Sequence, residues 1–239
     1  MMGDSRSYDS GISRRESRRR KKAAARARFY RIAAALLVVA GIGILAYTGL
    51  ERYLVGYRQD QLMEEFERTA GFRNVFEAPQ LEAPPDVIEI CEWQPMRLII
   101  PAIDVELVAV GGGDVFDKDL LDQGPTHFQM SDLPSSERGN VAFAGHRAGR
   151  WNFFLDIDQL EEGDEIYLDV EDGYRFIYEV EWVEVFDKYD WEPIWSTDYP
   201  AITLQTCEPK HVSNPDYRLM ARGRLVEVVE IPFGAPEVN

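Results

Sequence analysis

The sequence has few of the residues and motifs that mark common cofactor sites. It holds two cysteines and three histidines among 239 residues, and it contains no P-loop, GxGxxG motif, Cys-x-x-Cys pair or internal repeat. It therefore lacks the signatures of nucleotide binding, of thioredoxin-like redox chemistry and of repeat architectures. Positive charge is also scarce beyond the first 31 residues, which hold eleven of the 26 Lys and Arg residues.

The first 31 residues differ in charge from the rest of the chain. Their eleven basic and three acidic residues give a net charge of +8, so with −16 for the whole chain the remainder carries −24. This Ser- and Arg-rich segment buries too little apolar surface to offset the entropy of ordering, and we expect residues 1–31 to be disordered. Nucleic-acid binding is an alternative use of the charge, but membrane topology explains it more simply.

Residues 32–50 predict a transmembrane helix. They read IAAALLVVAGIGILAYTGL and contain no charged residue. As a helix the segment would be about 28 Å long, close to the thickness of the hydrocarbon core of a bilayer. Its length and the lack of a clear cleavage site favour an uncleaved anchor over a cleaved signal peptide. By the positive-inside rule the basic arm stays in the cytoplasm and the acidic remainder faces outward.

Two further regions follow the anchor. Residues 51–94 combine a charged, sparsely apolar helix with a proline-rich stretch, and we interpret them as an extracytoplasmic stalk. Residues 95–232 contain short alternating strands and a hairpin that turns at Asp172-Gly173. This pattern predicts a mainly β domain, a mostly antiparallel barrel or closed sandwich with short helices, followed by a tail at 233–239.

One predicted strand, residues 201–207, ends on a cysteine. Alternation along it places Cys207 on the polar face of the strand, away from the apolar side. If the next strand is its antiparallel neighbour, Arg218 lies beside Cys207, whereas Arg222 on the same face is about 13 Å away. Strand ends are positions where a rigid scaffold presents reactive groups, so Cys207 is a candidate nucleophile.

A nucleophilic thiol needs a proton carrier and benefits from nearby positive charge. His146 is the candidate carrier because it ends a buried strand directly after Gly145, and Arg218 would stabilise both a thiolate and an oxyanion. The other two histidines, His127 and His211, lie in loops. An outward location equally allows a disulfide between Cys91 and Cys207, and position alone leaves that alternative open.

Several segments resemble the sortases, the membrane-anchored cysteine transpeptidases of bacterial surfaces. The resemblance covers residues 95–232 and is carried by NVAFAGHR at 140–147, TLQTC at 203–207 and RLMARG at 218–223. The segments at 121–128 and 153–164 have counterparts in the same order. The resemblance implies a closed eight-stranded β-barrel with Cys207 as nucleophile, His146 as general acid and base, and Arg218 as stabiliser of the oxyanion. Thr206 would help to form the substrate site.

The resemblance also implies a substrate and a reaction. A secreted protein with a C-terminal signal similar to Leu-Pro-x-Thr-Gly would be cleaved between Thr and Gly and transferred to an amine of a cell-wall precursor or a pilin lysine. No metal or other cofactor is needed. Trp191 and Trp195 lie in the segment 187–199, where they would either contact the peptide or pack the loop. A peptidase that only hydrolyses and a non-enzymatic surface-binding barrel remain the alternatives.

Overall fold

The computed structural model describes residues 6–76, 87–148, 152–212 and 215–231. The chain divides into two compact units, Met1–Tyr53 and Leu54–Asn239. Helix α1 (Arg6–Phe76) begins in the first unit and ends in the second. The predicted tail at 233–239 and the proline-rich part of the predicted stalk, residues 77–86, lie outside the described residues.

The first unit contains the apolar part of α1. Large side chains in this part are open to solvent, for example Leu37 and Leu45, which are 74% and 73% exposed. Within α1, Arg28–Ala70 holds a stretch long and apolar enough to cross a membrane, a property that signal sequences near an N-terminus share. The apolar helix expected before the barrel is therefore present.

The basic segment, residues 1–31, for which we predicted disorder, contains the first part of helix α1. The helix starts at Arg6, and residues 1–5 lie outside the described part of the chain. Alanine, arginine and lysine are among the best helix formers, and residues 18–28 consist entirely of them. Extending a helix that already exists also avoids the cost of nucleation. The composition of this segment provides too little apolar surface for a packed domain. Its residues nevertheless have a high helix propensity.

The end of α1, which falls within the stalk predicted over residues 51–94, packs on the strands. Phe66 is 1% exposed, and burying such a side chain contributes about 1.5–3 kcal/mol. The side chain of Gln59 accepts a hydrogen bond from the backbone N–H of Val108 at 3.0 Å and donates one to the carbonyl of Gln123. The end of the helix is thus held by the burial of Phe66 and by hydrogen bonds from the side chain of Gln59 to backbone groups of the strand domain.

Eight strands form one sheet. In sheet order they are β2, β1, β5, β6, β8, β7, β4 and β3. Every neighbouring pair is antiparallel except β4 and β7, which are parallel. The bounds are β1 (Met96–Ile100), β2 (Val105–Ala109), β3 (Thr126–His127), β4 (Gly139–Ala144), β5 (Glu165–Val170), β6 (Tyr174–Asp187), β7 (Pro200–Glu208) and β8 (Tyr217–Glu230).

Short helices connect some of these strands. Helix α2 (Lys118–Leu121) precedes β3, and single 3₁₀ turns occur at Pro101–Ile103, Ile157–Gln159 and Glu192–Ile194. The hairpin predicted at Asp172-Gly173 joins β5 to β6, and Gly173 has the positive φ of 87° that such a turn requires.

The two edges of the sheet meet, so the sheet is a nearly closed barrel. Val110, directly after β2, forms a parallel bridge with Thr126 of β3. Its N–H donates to the carbonyl of Pro125 at 2.8 Å, and its carbonyl accepts from His127 at 2.9 Å. Pro125 has no N–H to extend the ladder. The predicted eight-stranded, mainly β barrel with short helices is confirmed, with closure limited to this short contact.

Alternation along the strands separates an apolar interior from the opposite face. The core combines residues from strands that are distant in sequence, and its fully buried members include Leu98, Phe143, Ile166, Leu168, Phe176, Ile202, Leu204 and Ala221. A smaller apolar cluster, Val115, Phe128, Ala142, Ile194 and Met220, lies apart from this core. The second cluster includes residues of β4 and β8 that alternate with core residues.

A buried carboxylate joins β1, β5 and β6. The side chain of Asp169 is 0% exposed and pairs with Arg97 at 2.8 Å and with Arg175 at 2.6 Å. A buried charge is tolerated only when it is paired, because an isolated one loses its hydration without compensation. The carboxylate of Asp169 is therefore expected to contribute strongly to the stability of the barrel.

We expect Asp169→Asn to lower the free energy of unfolding by about 3–5 kcal/mol, because both arginines lose a charged partner at a buried site. Urea unfolding of the full chain in detergent, followed by tryptophan fluorescence, measures the change. Glu181→Gln is the matched control, since Glu181 pairs with the half-exposed Arg224 and such a pair contributes about 1 kcal/mol or less. Equal losses in the two variants would contradict the assignment.

Candidate active site

Three strands bring the predicted catalytic residues side by side. Cys207 of β7 is the register partner of Arg218 of β8. On the other side of β7, the parallel register with β4 ends at Ala144 opposite Gln205, so His146, two residues on, lies level with Cys207. The N–H of Gly145 donates to the carbonyl of Gln205 at 2.9 Å, which continues the pairing past the end of β4. His146, Cys207 and Arg218 thus occupy one row at the edge of the sheet.

This row belongs to the face opposite the barrel core. Register partners on neighbouring strands share a face, so Cys207 lies with Gln205 and Thr203, and with Arg218 and Arg222 on β8. Arg222 pairs with Thr203, four residues before Cys207. It is buried and donates hydrogen bonds to Thr203 Oγ1 at 3.3 Å and to the carbonyl of Pro193. The prediction that Arg218, and not Arg222, lies beside Cys207 is confirmed.

Both cysteines are free in the structure. Cys207 is partly exposed at the end of β7, and Cys91 is exposed in the segment before β1. The disulfide between them, which position in the sequence left open, is not formed. The thiol of Cys207 is therefore available for chemistry at the face that carries the row.

His146 is held from the side of helix α2. Its Nε2 lies 3.0 Å from Oδ1 of Asp122, the residue that caps the C-terminus of α2. The preceding residue must be glycine, because a Cβ added at Gly145 would overlap the ring of Phe154. The N–H of Phe154 in turn donates to the carbonyl of His146 at 3.0 Å. Asp122 was not predicted as a site residue; it lies in the segment 121–128 that carries part of the family resemblance.

Arg218 is fixed by the turn that precedes β8. Its Nη1 donates to the carbonyls of Pro215 and Tyr217, both at 2.9 Å. These bonds use the two N–H groups of Nη1, and a guanidinium has five. No acceptor among the described residues binds the three N–H groups on Nε and Nη2.

Arg147 connects the segments that follow His146 and Cys207. It is 2% exposed, pairs with Asp158 at 2.9 Å and with Glu208, and its Nη1 donates to the carbonyl of Cys207 at 3.3 Å. Burial acts against the charged form of Asp158, but hydrogen bonds from Lys210 and Arg147 outweigh it and keep the pKa of this carboxyl below its ordinary value. Sequence reasoning did not identify Arg147 as part of this site.

Thr206, which we predicted to help form the substrate site, lies on the other face of β7 from Cys207. Alternation turns its side chain to the face opposite Cys207, where it is 2% exposed. Its hydroxyl donates to the carbonyl of Gly145 at 2.7 Å. Thr206 therefore ties β7 to the residue before His146.

The loop between β6 and β7 is tied down on the face that carries Cys207. Asn140, which shares that face, donates from its amide to the carbonyls of Pro193, Ile194 and Trp195 at 3.1, 3.1 and 3.2 Å. Trp191 makes edge contacts with the rings of Phe116 and Phe128. Trp195 has no such packing among the described residues and is 58% exposed. The sequence did not distinguish the two tryptophans, but in the structure Trp191 packs the loop and Trp195 faces outward.

Gln205 adds an unpaired acceptor to the same face. It is 5% exposed, and its Oε1 has no hydrogen-bond partner in the described parts of the chain. Buried polar atoms are normally paired with protein groups or ordered water, so Oε1 of Gln205 is an acceptor that a water molecule or a ligand can satisfy. As for metals, no group of three His, Cys, Asp or Glu within the described residues has the arrangement of an ion site.

Comparison with known proteins identifies the family. The model of the sortase domain matches residues 98–226, more than half of the chain, and the chain belongs to the sortase family. Members of this family are cysteine transpeptidases. The particular relatives include Sortase SrtE1 of Streptomyces coelicolor, 30% identical over 154 residues, which are 59% of this chain and 42% of that protein. The chain thus spans less than half the length of this curated relative.

Solved structures give the same fold. Sortase E1 of Streptomyces coelicolor, with a tripeptide in the active site, has 26% sequence identity and a TM-score of 0.52, over 60% of this chain and 94% of that one. Sortase A of Listeria monocytogenes has 25% identity and a TM-score of 0.50, over 57% and 89%. The sortase-type barrel predicted from sequence is confirmed by these similarities.

The remaining histidines lie away from the row. His127 is 5% exposed and stacks on Trp93 with ring centroids 5.0 Å apart, while His211 is exposed. Burial lowers the pKa of His127 below its ordinary value, against the opposing effect of the hydrogen bond to the carbonyl of Asp132. The unfolded chain therefore binds a proton at His127 more readily than the folded chain.

We expect His127 to make the protein less stable in acid. The contribution of neutral His127 to the free energy of unfolding is fully present above about pH 6.5. It is lost as the pH falls from there toward the lower pKa of the folded state, because the unfolded chain takes up the proton first. His127→Gln should remove up to about 1.4 kcal/mol per pH unit of slope from the free energy of unfolding between pH 7 and 5. Urea titrations across this range measure it. A slope in His127→Gln equal to that of the wild type would contradict the assignment.

Proposed function

We propose that this protein is a transpeptidase that cleaves a C-terminal sorting signal and transfers the new carboxyl end to an amine. The signal resembles Leu-Pro-x-Thr-Gly, and the cleaved bond joins Thr and Gly. The observation that carries the proposal is the row of His146, Cys207 and Arg218 across three paired strands in a member of the sortase family. This row combines a nucleophile, a proton carrier and a fixed cation, which are the groups that acyl transfer requires.

The first step forms a thioester. His146 takes the proton of the Cys207 thiol, and the sulfur attacks the threonine carbonyl, whose oxygen becomes negatively charged. The unused N–H groups of Arg218 are suited to stabilise this oxyanion. The tetrahedral intermediate then collapses, the Thr–Gly bond breaks, and His146 gives its proton to the departing glycine amine. The product is an acyl chain bound to Cys207 through sulfur.

The second step transfers the acyl group. An amine attacks the thioester carbonyl, a new amide bond forms, and the C–S bond breaks. His146 takes a proton from the attacking amine and returns it to the sulfur, which restores the thiol. The proposed acceptor is an amine of a cell-wall precursor or a lysine of a pilin. Water in place of the amine would make the protein a peptidase that only hydrolyses.

The groove for the peptide is proposed on the face that carries Cys207. The loop held by Asn140 borders this face, and the exposed ring of Trp195 offers an apolar surface to the signal. Gln205, two residues before Cys207, has an amide whose buried oxygen lacks a partner. A peptide N–H would supply one. Thr206 supports the groove from beneath, and Trp191 packs its wall.

The proposed location is the outer face of a membrane. A single-pass anchor at residues 32–50 with a cytoplasmic N-terminus is supported by the apolar stretch within α1 and by the basic residues before it. This arrangement would place the barrel where secreted substrates and wall precursors meet. The proposed partners are therefore secreted substrates, amine acceptors and the membrane, and they include no nucleic acid.

Replacement of the nucleophile tests the reaction. The wild-type protein should form an adduct with a Leu-Pro-x-Thr-Gly peptide that mass spectrometry detects as a thioester, and Cys207→Ala should form none while its circular dichroism is unchanged. With triglycine present, the wild type should yield the ligated peptide. Turnover by Cys207→Ala would refute the proposal, and a product of hydrolysis alone would establish the peptidase alternative.

In the same assay, Arg218→Gln should lower kcat/KM by about 100- to 1,000-fold, because the oxyanion loses its cation. Arg224→Gln on the same strand is the matched control and should stay within about threefold, since an exposed surface pair contributes little. An equal loss in both variants would remove Arg218 from the proposed mechanism.

Trp195→Ala should raise KM for the peptide about tenfold with little change in kcat, since an exposed apolar contact contributes to binding rather than to bond breaking. Tyr189→Ala is the control, because Tyr189 is an exposed aromatic residue of the same loop. Steady-state kinetics with the peptide measure both constants. An unchanged KM in Trp195→Ala would show that the ring lies outside the groove.

A further inference from the structure

Asp122 occupies a rigid position next to the site. It is the C-terminal cap of helix α2, and its N–H donates to the carbonyl of Lys118 at 2.9 Å. The following residue, Gln123, donates to the carbonyl of Leu120 at 3.0 Å. The Cα of Asp122 is therefore fixed by the helix end, which limits the positions that its short side chain can reach.

The carboxylate of Asp122 has two partners. Oδ1 lies 3.0 Å from Nε2 of His146, and Oδ2 pairs with the ammonium of Lys118. The Asp122 side chain is only 16% exposed and that of His146 is 27% exposed, whereas that of Lys118 is 75% exposed. The contact with His146 is the more shielded of the two, and charge-assisted hydrogen bonds are stronger where water is excluded.

This contact determines which ring nitrogen of His146 is free. An ionised carboxylate only accepts hydrogen bonds, so Nε2 must carry a hydrogen when it bonds to Asp122. In the neutral imidazole the other nitrogen, Nδ1, is then unprotonated and can accept a proton. Within the described residues Nδ1 has no hydrogen-bond partner. The register that places His146 level with Cys207 leaves this nitrogen as the one for proton exchange with the thiol.

We propose that Asp122 is a positioning residue for the reaction. By holding Nε2–H it selects the tautomer of His146 in which Nδ1 receives the proton of Cys207 and later passes it to the leaving amine. It also balances the positive charge that the ring carries between these two transfers. The kinetic part of this inference rests on the proposed transpeptidase function; the tautomer part does not.

Two variants and a matched control test the kinetic role. Asp122→Ala should lower kcat about 10- to 100-fold and leave KM for the sorting peptide within about twofold, because proton transfer is impaired while the groove is intact. Asp122→Asn, which keeps the size of the side chain and loses its charge, should also lower kcat. Lys118→Met removes the other partner of the same carboxylate and should keep kcat within about threefold, as expected for an exposed pair.

The tautomer is measured without any substrate. The chain has three histidines, so ¹⁵N-histidine labelling of the full chain in detergent gives few ring signals, which single His127→Gln and His211→Gln variants assign. The wild type should show His146 in the Nε2–H form. Asp122→Ala should shift its ring nitrogens toward a mixture of both tautomers, and Lys118→Met should not.

The two readouts separate the possible failures. Absence of a thioester in the wild type would refute the transpeptidase proposal, whereas the ring signals would still report on Asp122. An unchanged tautomer together with unchanged kcat in Asp122→Ala would overturn the positioning role. A loss of kcat as large in Lys118→Met as in Asp122→Ala would overturn it as well, because the ion pair and not the histidine contact would then be responsible.

Discussion

The parallel pairing of β4 with β7 is the constraint on which the site depends. Parallel strands end at the same edge of a sheet, so the residues that follow β4 and complete β7 meet there, although His146 and Cys207 are far apart in the chain. The antiparallel return of β8 then begins at that edge and brings Arg218 to the other side of Cys207. A one-residue slip of β7 would turn Cys207 into the core.

The inner faces of these strands form the apolar core, and their outer faces carry the candidate site. Inside, Phe143, Leu204 and Ala221 belong to the apolar core that holds the three strands in register. Outside, the same strands present the row that contains Cys207, and the loop bonded to Asn140 lies at that face. Thr206 connects the inner face with the candidate site, because its buried hydroxyl donates a hydrogen bond to the carbonyl of Gly145, just before His146. Packing on one side thus sets geometry on the other.

Sequence reasoning succeeded where the relevant contact is local or repeats along a strand. The period of two placed Cys207 on the outer face, and adjacency of two successive strands distinguished Arg218 from Arg222. The Asp172-Gly173 hairpin followed from turn chemistry. Disorder over residues 1–31 and a stalk over residues 51–94 stay predictions. Helix α1 runs through the first region from Arg6, where alanine, arginine and lysine favour a helix, and Gln59 bonds to the distant Val108 within the second.

The sequence by itself determined most of the strands, their faces, the position of Cys207 beside Arg218, and the family, since each depends on residue type and short spacing. The tertiary structure alone decided that Asp122 holds His146, that Arg147 ties the segments after His146 and Cys207 together, and that Trp191 packs while Trp195 is exposed. The physical reason is that these contacts join segments that are far apart in the sequence and meet only in the folded domain. No local pattern encodes the distance between such elements.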